Sequence, residues 1–422
     1  MRHRALYAAF DRVPSAKGAA IHIAHAVRAL ERAAGNTLLA CVADGRLPEG
    51  EREGGVEVLR LGAGAPDLVE RVRLFRRSLA AVLEAQRGSL RVCHFRDPWS
   101  GIPILDAYGK GQGGKGQGGK GQGGRVATVY EVNGLPSIER PYRFPSISAR
   151  TLDRIRAMER RCLAEADHIL TPSATLAQNL ARICADMGVA PARITVIPNG
   201  ADLPSQAMRR PRGAPTRYFL YFGALQPWQG VGAAIAALPR IADLGIPLVI
   251  CSSQPPAIGR ALQARARRLG VERSVHWRHE LTREALAPWI AHAVASLAPL
   301  TETPRNLEQG CCPLKILESM AAGTPVIASD LAPVRELIAH GEHGLLVRAG
   351  RPELLGRAMR ALADEPAARE AMGRRARRRM RRHYTWAGIE RQLERWYRGE
   401  VLKRGSDKRK GASWRKSQAA TN

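Results

Sequence analysis

The sequence predicts an α/β protein: two Rossmann-like domains in series, facing each other across a cleft, with a last helix that crosses back from the second to the first. Three observations predict it. The 422 residues exceed one ordinary core and leave room for two domains of about 200 residues each. Short β-like runs alternate with helical stripes in two successive series, and such alternation means a parallel sheet covered on both faces. A linker rich in Pro and Arg, 201–216, separates the series, and each opens on a turn that contains glycine.

The first domain spans 1–200. A β-like run, Leu6 to Phe10, feeds a loop of small residues, Asp11 to His22, and a helix through Leu30. Arg91-Val92-Cys93 reads as a strand end facing the cleft. Val126 to Val132 is another β-like run. Between Tyr108 and that run, 109–125 repeats a Gly-Gln-Gly-Gly-Lys unit, which cannot bury a core and reads as a flexible surface insertion. Leu152, Ile155, Met158, Leu163 and Ala166 mark a helical stripe, and His168 to Thr171 a short strand. Pro172-Ser173 supplies a turn and N-cap for a helix ending at Gly188; the strand Ile194 to Ile197 closes on the turn Pro198-Asn199-Gly200.

The second domain, 217–385, restarts the pattern. Strands are expected at Tyr218 to Phe222, Pro247 to Cys251, Ser274 to Arg278, Val294 to Ala298 and Pro325 to Ser329. Helices are expected from Val231, near Ala257 to Leu269, over Arg283 to Ala293 and over Pro313 to Ala322. The crossover helix, 386–400, places Ile389, Leu393 and Trp396 on one face. The tail, 401–422, is basic and polar and is expected to be disordered.

The formal charge of +28, much of it in the run Arg374 to Arg382, favours an anionic partner: a nucleotide, an acidic glycan or an anionic membrane surface. Nucleic acid is disfavoured, because no helix-turn-helix, zinc finger or aromatic strand motif accompanies the charge. No apolar run reaches the length of about 18 residues that spans a bilayer, and Met1 to Phe10 is too short and polar for a secretory segment. The expected location is the cytoplasm, with peripheral contact at the inner face of the membrane. Seven scattered cysteines give neither a disulfide framework nor a zinc spacing. Nothing in the sequence indicates an oligomeric state.

The stretch Asn306 to Asp330 carries the most chemistry. Gly310 ends a loop, Pro313 suits a first helical position and Gly323 a helix C-terminus, so a loop enters a short helix whose free amides point back at it. Such amides form an anion site suited to a pyrophosphate. Glu318, about a turn and a half inside, is either an ordinary helix glutamate or an acceptor for two ribose hydroxyls. This stretch, with the run Ser319-Met320-Ala321-Ala322-Gly323-Thr324-Pro325-Val326-Ile327-Ala328, resembles the family 4 glycosyltransferases, and the order of elements does so over about residues 10 to 400. The resemblance implies a GT-B fold, a nucleotide-sugar donor (UDP- or GDP-linked) and retention of anomeric configuration. It implies that Glu318 holds the donor ribose.

The sequence also departs from that family. A glutamate expected eight positions before Glu318 is Gly310, so donor-sugar contacts fall to the loop amides of Gly310, Cys311 and Cys312, with Pro313 and Leu314 beside them. An arginine and a lysine that clamp the diphosphate are replaced by Ala224 and Gln229, so Lys315 and Arg305 become the candidate cations. Gly223 and Gly230, and Gly18 and Ala19 in the first domain, are expected to allow close approach to the donor. On the acceptor side, His94 positions the acceptor or the sugar or else is a core histidine, and Arg96, Asp97 and Trp99 suit a carbohydrate. Where relatives place a histidine against the transferring sugar stands Tyr130, which leaves Glu131 and Asn133 as candidate catalytic groups.

The expected activity is hexosyl transfer to a glycan or lipid-linked acceptor in envelope or exopolysaccharide biosynthesis. No metal is expected, helix amides and a cation meeting the leaving charge where other transferases use an Asp-x-Asp motif, which the sequence lacks. Two alternatives stay open: a catalytically silent GT-B glycan-binding or scaffold protein, motivated by the missing clamp, and a nucleotide-sugar epimerase of the same fold.

Overall fold

A computed structural model of the chain describes residues 2–15, 18–62, 67–110, 125–204 and 208–403. Most of the Gly/Gln/Lys insertion and of the basic tail lie outside the described residues. The first domain runs β1 (Ala5–Ala8), α1 (Gly18–Ala34), β2 (Thr37–Val42), β3 (Gly50–Glu53), β4 (Val56–Leu61), α2 (Leu68–Ala85), β5 (Val92–Phe95), α3 (Pro98–Tyr108), β6 (Ala127–Glu131), α4 (Pro136–Arg143), α5 (Ala149–Glu165), β7 (His168–Thr171), α6 (Ala174–Asp186) and β8 (Ile194–Val196). The second runs β9 (Phe219–Gly223), α7 (Val231–Ala237), β10 (Leu248–Ser252), α8 (Arg260–Arg268), β11 (Val275–His279), α9 (Arg283–Ala291), β12 (Ala295–Ala298), α10 (Leu314–Ala322), β13 (Val326–Ser329), α11 (Ala332–Arg335), β14 (Gly344–Val347), α12 (Pro352–Asp364) and α13 (Pro366–His383). A last helix, α14, spans Trp386–Trp396.

The first sheet has the order β3-β4-β2-β1-β5-β6-β7-β8 and the second β11-β10-β9-β12-β13-β14. The second is parallel throughout, and in the first only β3 runs antiparallel, on β4. In each sheet the opening strand, β1 or β9, is flanked on both sides, by β2 and β5 or by β10 and β12. The connections leave such a strand in opposite directions, which opens a crevice at its C-terminal end. The edge strand β3 went unread in the sequence because Gly-Glu-Arg-Glu is exposed throughout and shows no apolar alternation. Likewise the helix expected from Ala257 is split, its first turn being a tighter 3-10 turn, Pro256–Gly259.

Pleating decides how the first sheet is covered. Leu6 faces a core with Phe75, Leu79 and Phe95, and Tyr7 faces the opposite core with Ile23, Val27 and Leu39. The second core is completed by α14, whose Trp386, Ile389 and Leu393 are each 1% exposed. Their helical spacing gives one apolar stripe, and burying each contributes about 2–3 kcal/mol. The chain therefore crosses between domains twice, and the crossings lie side by side. Ala201 N–H donates to Tyr384 O (2.9 Å) and Trp386 N–H to Ala201 O (3.2 Å). A Cβ on Gly200 would stand 2.9 Å from the Trp386 amide nitrogen, so the approach needs a glycine.

The cleft is closed by direct contacts. Gln309 Oε1 accepts from Leu135 N–H (2.8 Å), Arg305 pairs with Glu139 (3.2 Å), and Glu336 accepts from the amides of Ala174 (2.9 Å) and Thr175 (2.7 Å) at the start of α6.

Candidate active site

On the second domain's side, β9 ends at Gly223 with φ 117°, a value suited to glycine. The turn that follows carries Gln229. A Cβ on Gly223 would face Lys315 at 3.8 Å, so the strand end opens directly onto this lysine. Lys315 Nζ donates to Gln229 Oε1 (2.6 Å) and lies 4.1 Å from the centre of the Tyr221 ring. Burial lowers its pKa to about 7, Glu318 offsetting only part of the effect. Glu318 lies three residues on, on the same face of α10. Burial raises its pKa to about 7, with Arg283 and then Lys315 pulling the other way. Burial thus disfavours the charged form of both groups, and a partner of complementary charge or hydrogen bonding would restore each to its ordinary ionisation.

The helix begins one residue later than the sequence predicts. Pro313 is the capping residue, with φ −69° and ψ 112°, and Gly323 closes the far end with φ 77°. Ile316 N–H makes the first turn's bond, to Pro313 O (3.1 Å), which leaves the amides of Leu314 and Lys315 ahead of the helical ladder. Gly310, φ 81°, lets the preceding loop pass α6, where a Cβ would meet Leu176 N at 3.3 Å. The Cys311 and Cys312 side chains are turned into the core with Ile316 and Met320, and burial pushes the Cys312 thiol up to about 12. Only their backbone is left for a ligand. Gly18 opens α1 directly opposite Leu314, so the N-termini of α1 and α10 converge on one point of the cleft.

Two donor-side expectations need correction. Arg305 is close enough to act on the Lys315 charge, but its own partner lies across the cleft: it pairs with Glu139, over Trp228 (5.5 Å) and against Asn306 (3.2 Å), because Glu139 offers it a carboxylate. Gly230 is dictated by chain packing, since a Cβ there would lie 1.8 Å from Pro299 O.

The acceptor-side expectations are corrected more broadly. Glu131, 1% exposed, is the hub of a buried network. It accepts from Tyr7 Oη (2.7 Å) and from Asn133 Nδ2, pairs with His22 Nε2 (2.7 Å) and His94 Nε2 (2.9 Å), and has Arg96 Nε at 3.6 Å. Burial alone would raise its pKa, but His22 and Arg96 hold the carboxyl well below its usual range. His94 is fully buried, its other nitrogen 2.7 Å from the Tyr397 hydroxyl, and burial lowers its pKa. As placed, both side chains are buried inside the first domain, where β5 and β6 pair side by side and α14 packs over them. Tyr130, one position earlier on the pleat, points into the opposite core and stacks on Phe95 (5.0 Å).

Arg96 is committed to Glu131 and to Ala19 O (3.1 Å), so it fixes the first turn of α1. Asp97 caps α3, accepting from Ser100 N–H (2.9 Å) and Phe10 N–H (2.7 Å); burial holds its pKa up at about 6. An Asp two residues after a strand and three before a serine is a capping signal, which outranks the sugar-binding reading. Trp99 is 8% exposed, beneath the Arg140 guanidinium (4.8 Å). Asn133 is half-buried and donates to the Glu131 carboxylate.

Sequence reasoning missed the residues that join the two sides. His22 Nδ1 lies 2.7 Å from Asn199 Oδ1, and Asn199 Nδ2 donates to Cys312 O (2.9 Å). A continuous polar chain thus runs from the Glu131 hub to the loop that enters α10. The available signals were the histidine four residues into α1 and the asparagine of the Pro-Asn-Gly turn; neither reveals its partner.

Comparison with known proteins places this geometry. The model of Glycosyltransferase Family 4 matches residues 16–205, and that of Glycosyl transferases group 1 matches 216–365. The chain is a family 4 glycosyltransferase of the group 1 type. The two matches meet at the linker, so the family 4 pattern covers most of the first domain and β9 to α12 of the second. Curated relatives include the glycogen synthase of Mycobacterium tuberculosis (30% identical over 58% of this chain and 56% of that one). Another is the D-inositol 3-phosphate glycosyltransferase of Corynebacterium glutamicum (27% identical, 67% of this chain and 69% of that one). The chain thus spans little more than half the length of the glycogen synthase. Among solved structures, the sucrose-phosphate synthase of Thermosynechococcus elongatus superposes with a TM-score of 0.74 at 18% identity, covering 94% of this chain and 98% of that one. HepE of Anabaena, solved in complex with UDP-glucose, superposes at 0.66 and 15% identity, covering 93% and 98%. These likenesses establish the GT-B fold.

Proposed function

We propose that the protein transfers a hexosyl group from a nucleotide-diphosphate sugar to a glycan or lipid-linked acceptor, with retention of configuration and without a metal ion. The observation that carries this reading is the Lys315–Glu318 face of α10, set against Gly18 where the first turns of α1 and α10 meet. A diphosphate at that point is met by the ammonium of Lys315 and by the free amides of both helices, each helix end contributing about 0.3–1 kcal/mol. Glu318, once ionised, accepts from the ribose hydroxyls. The nucleotide complexes of HepE with UDP-glucose and of the starch synthase IV catalytic domain of Arabidopsis thaliana with ADP support a nucleotide donor for this fold.

In the transfer step the bond from the anomeric carbon to the diphosphate oxygen breaks as the acceptor hydroxyl bonds to that carbon from the same face, and the hydroxyl proton passes to the departing diphosphate. The charge that builds on the diphosphate is stabilised by Lys315 and the helix amides, which are already oriented before reaction. Gln229 steers the ammonium toward β9 through its 2.6 Å contact.

The test is nucleotide release from UDP-, GDP-, ADP- and dTDP-sugars in EDTA, comparing wild type with Glu318→Ala, and anomeric analysis of the product. Transfer from one donor, lost in the variant, supports the reading. Turnover only with added divalent metal overturns its metal-free part, and an inverted product overturns retention. A silent GT-B binding protein is favoured by Ala224 and Gln229 at the clamp positions; it predicts Glu318-dependent thermal protection by a nucleotide without turnover.

A further inference from the structure

α13 packs tightly onto α10. Ala376 and Met380 share a core with Ile316 and Met320, and a Cβ on Gly373 would lie 2.0 Å from Gly323 O. The opposite face of α13 is exposed and carries an unusual concentration of arginine. Arg375 donates to Glu342 O (2.9 Å) and Gly341 O (3.2 Å), and Arg379 to Leu337 O (3.1 Å) and Glu336 O (3.0 Å). These acceptors are neutral carbonyls, so both guanidiniums are fixed in place with their charges uncompensated. Arg378, Arg381 and Arg382 extend the row, exposed and without a carboxylate within ion-pair distance among the described residues. The five line a concavity of about 700 Å³ in which Glu342 is the only carboxylate on the wall.

Like charges three and four residues apart on a helix repel by a few tenths of a kcal/mol per pair, and this helix accumulates several such pairs, while among the described residues only Arg374, with Glu370 at 3.7 Å, has an ion-pair partner along it. A guanidinium is planar and always charged, and it matches phosphoryl oxygens two at a time. We propose that this concavity binds a phosphate-bearing anion of at least two negative charges, at a site separate from the donor cleft, with α10 between the two. The shared chemistry is the phosphoryl group; its source is either a soluble phosphate compound or a lipid head group.

The experiment uses the full chain carrying Lys315→Met, which removes the cation of the cleft and leaves it the same in every protein compared. Inorganic pyrophosphate is titrated by calorimetry, and co-sedimentation is measured with phosphatidylcholine vesicles with and without phosphatidic acid. Three proteins are compared: the parent, Arg378→Gln/Arg381→Gln/Arg382→Gln, and a control with the same change of charge on α8, Arg265→Gln/Arg267→Gln/Arg268→Gln. The α13 variant should bind at least about tenfold more weakly, the equivalent of one lost charge-assisted hydrogen bond, while the control stays within about twofold. Binding of pyrophosphate identifies a soluble source, and binding of acidic vesicles alone a lipid head group. Equal losses in both variants, an unchanged α13 variant, or no binding of either probe by the parent would overturn the site. Because all three proteins share the Lys315→Met cleft and differ only on α13 or α8, the result is independent of whether the donor reading holds.

Discussion

Gly18 and Leu314 face each other across the cleft so closely that a Cβ on the glycine would stand 2.6 Å from Leu314 Cδ1. Each residue opens a helix, and the space between them is where both sets of free amides converge. The contact is with the far end of a flexible side chain, so a methyl group is accommodated by a shift of Leu314, whereas a larger side chain holds the domains apart. Gly18→Leu should lower kcat/KM for the donor about tenfold or more, with a thermal midpoint within a few degrees of wild type. Steady-state kinetics beside a melting curve checks it; unaltered kinetics would place the diphosphate elsewhere.

Lys315 illustrates a site held ready at a cost in stability. Its folded pKa, about 7, lies below the ordinary 10.5, so between those pH values the unfolded chain holds a proton that the folded chain has lost. The penalty is complete below pH 7 and fades as pH rises toward 10.5. Lys315→Met should therefore stabilise the protein at neutral pH by about 1 kcal/mol or more while abolishing donor binding. In wild type, donor affinity should pass through a maximum near pH 7 and decline on both sides, since the diphosphate is met by the Lys315 ammonium and the ribose by the ionised Glu318. Calorimetric titration of UDP or GDP from pH 6 to 9 reads the effect.

The Glu131 network sets the acid limit of the fold. Its carboxyl is held below the ordinary 4.5, so its stabilisation is present above that value and is lost as pH falls through it toward the folded pKa. His94 is lowered from 6.5 by burial, so the unfolded chain binds a proton that the folded chain refuses, and stability also falls as pH drops below 6.5. Both slopes have the same sign. Glu131→Gln leaves Arg96 buried without its countercharge, which should cost about 3–5 kcal/mol, and the melting temperature of the variant should depend less steeply on pH below about 4.5, where the Glu131 carboxyl titrates in the unfolded chain. An unchanged pH slope would remove Glu131 from the acid-sensitive set.

Deleting α14 should unfold the domain at the opposite end of the sequence. Trp386 and Leu393 belong to the first domain's core, and His25 stacks on Trp386 at 4.1 Å. Trp386→Ala should cost about 3–5 kcal/mol, and truncation after Tyr384 should expose the α1 side of the first sheet. Limited proteolysis with fragment mapping would show cleavage in the first domain; cleavage confined to the second would contradict this packing.

The sequence by itself determined the repeated strand-helix alternation, the linker, the apolar stripe of α14 and the loop-to-helix passage at Gly310 to Gly323. Each is written in local patterns: pleat and helix periods, a proline, and glycines with positive φ. Ser173 and Thr385 as helix caps are local too, each accepting from an amide three residues ahead. Tertiary structure alone decided which candidates share a site. Whether Arg305 meets Lys315 or Glu139, and whether His94 faces a sugar or Tyr397, depends on contacts between residues more than a hundred positions apart. Asp97 looked like a sugar ligand because a carboxylate has the same chemistry whether it caps a helix or binds a hydroxyl. His22, Asn199 and Cys312 are ordinary residues in sequence, and only the side-by-side crossing of the two interdomain segments joins them into a chain. The reason is physical: backbone preference acts over a few residues, while the ionisation and partners of a buried polar group are set by whatever the fold packs against it.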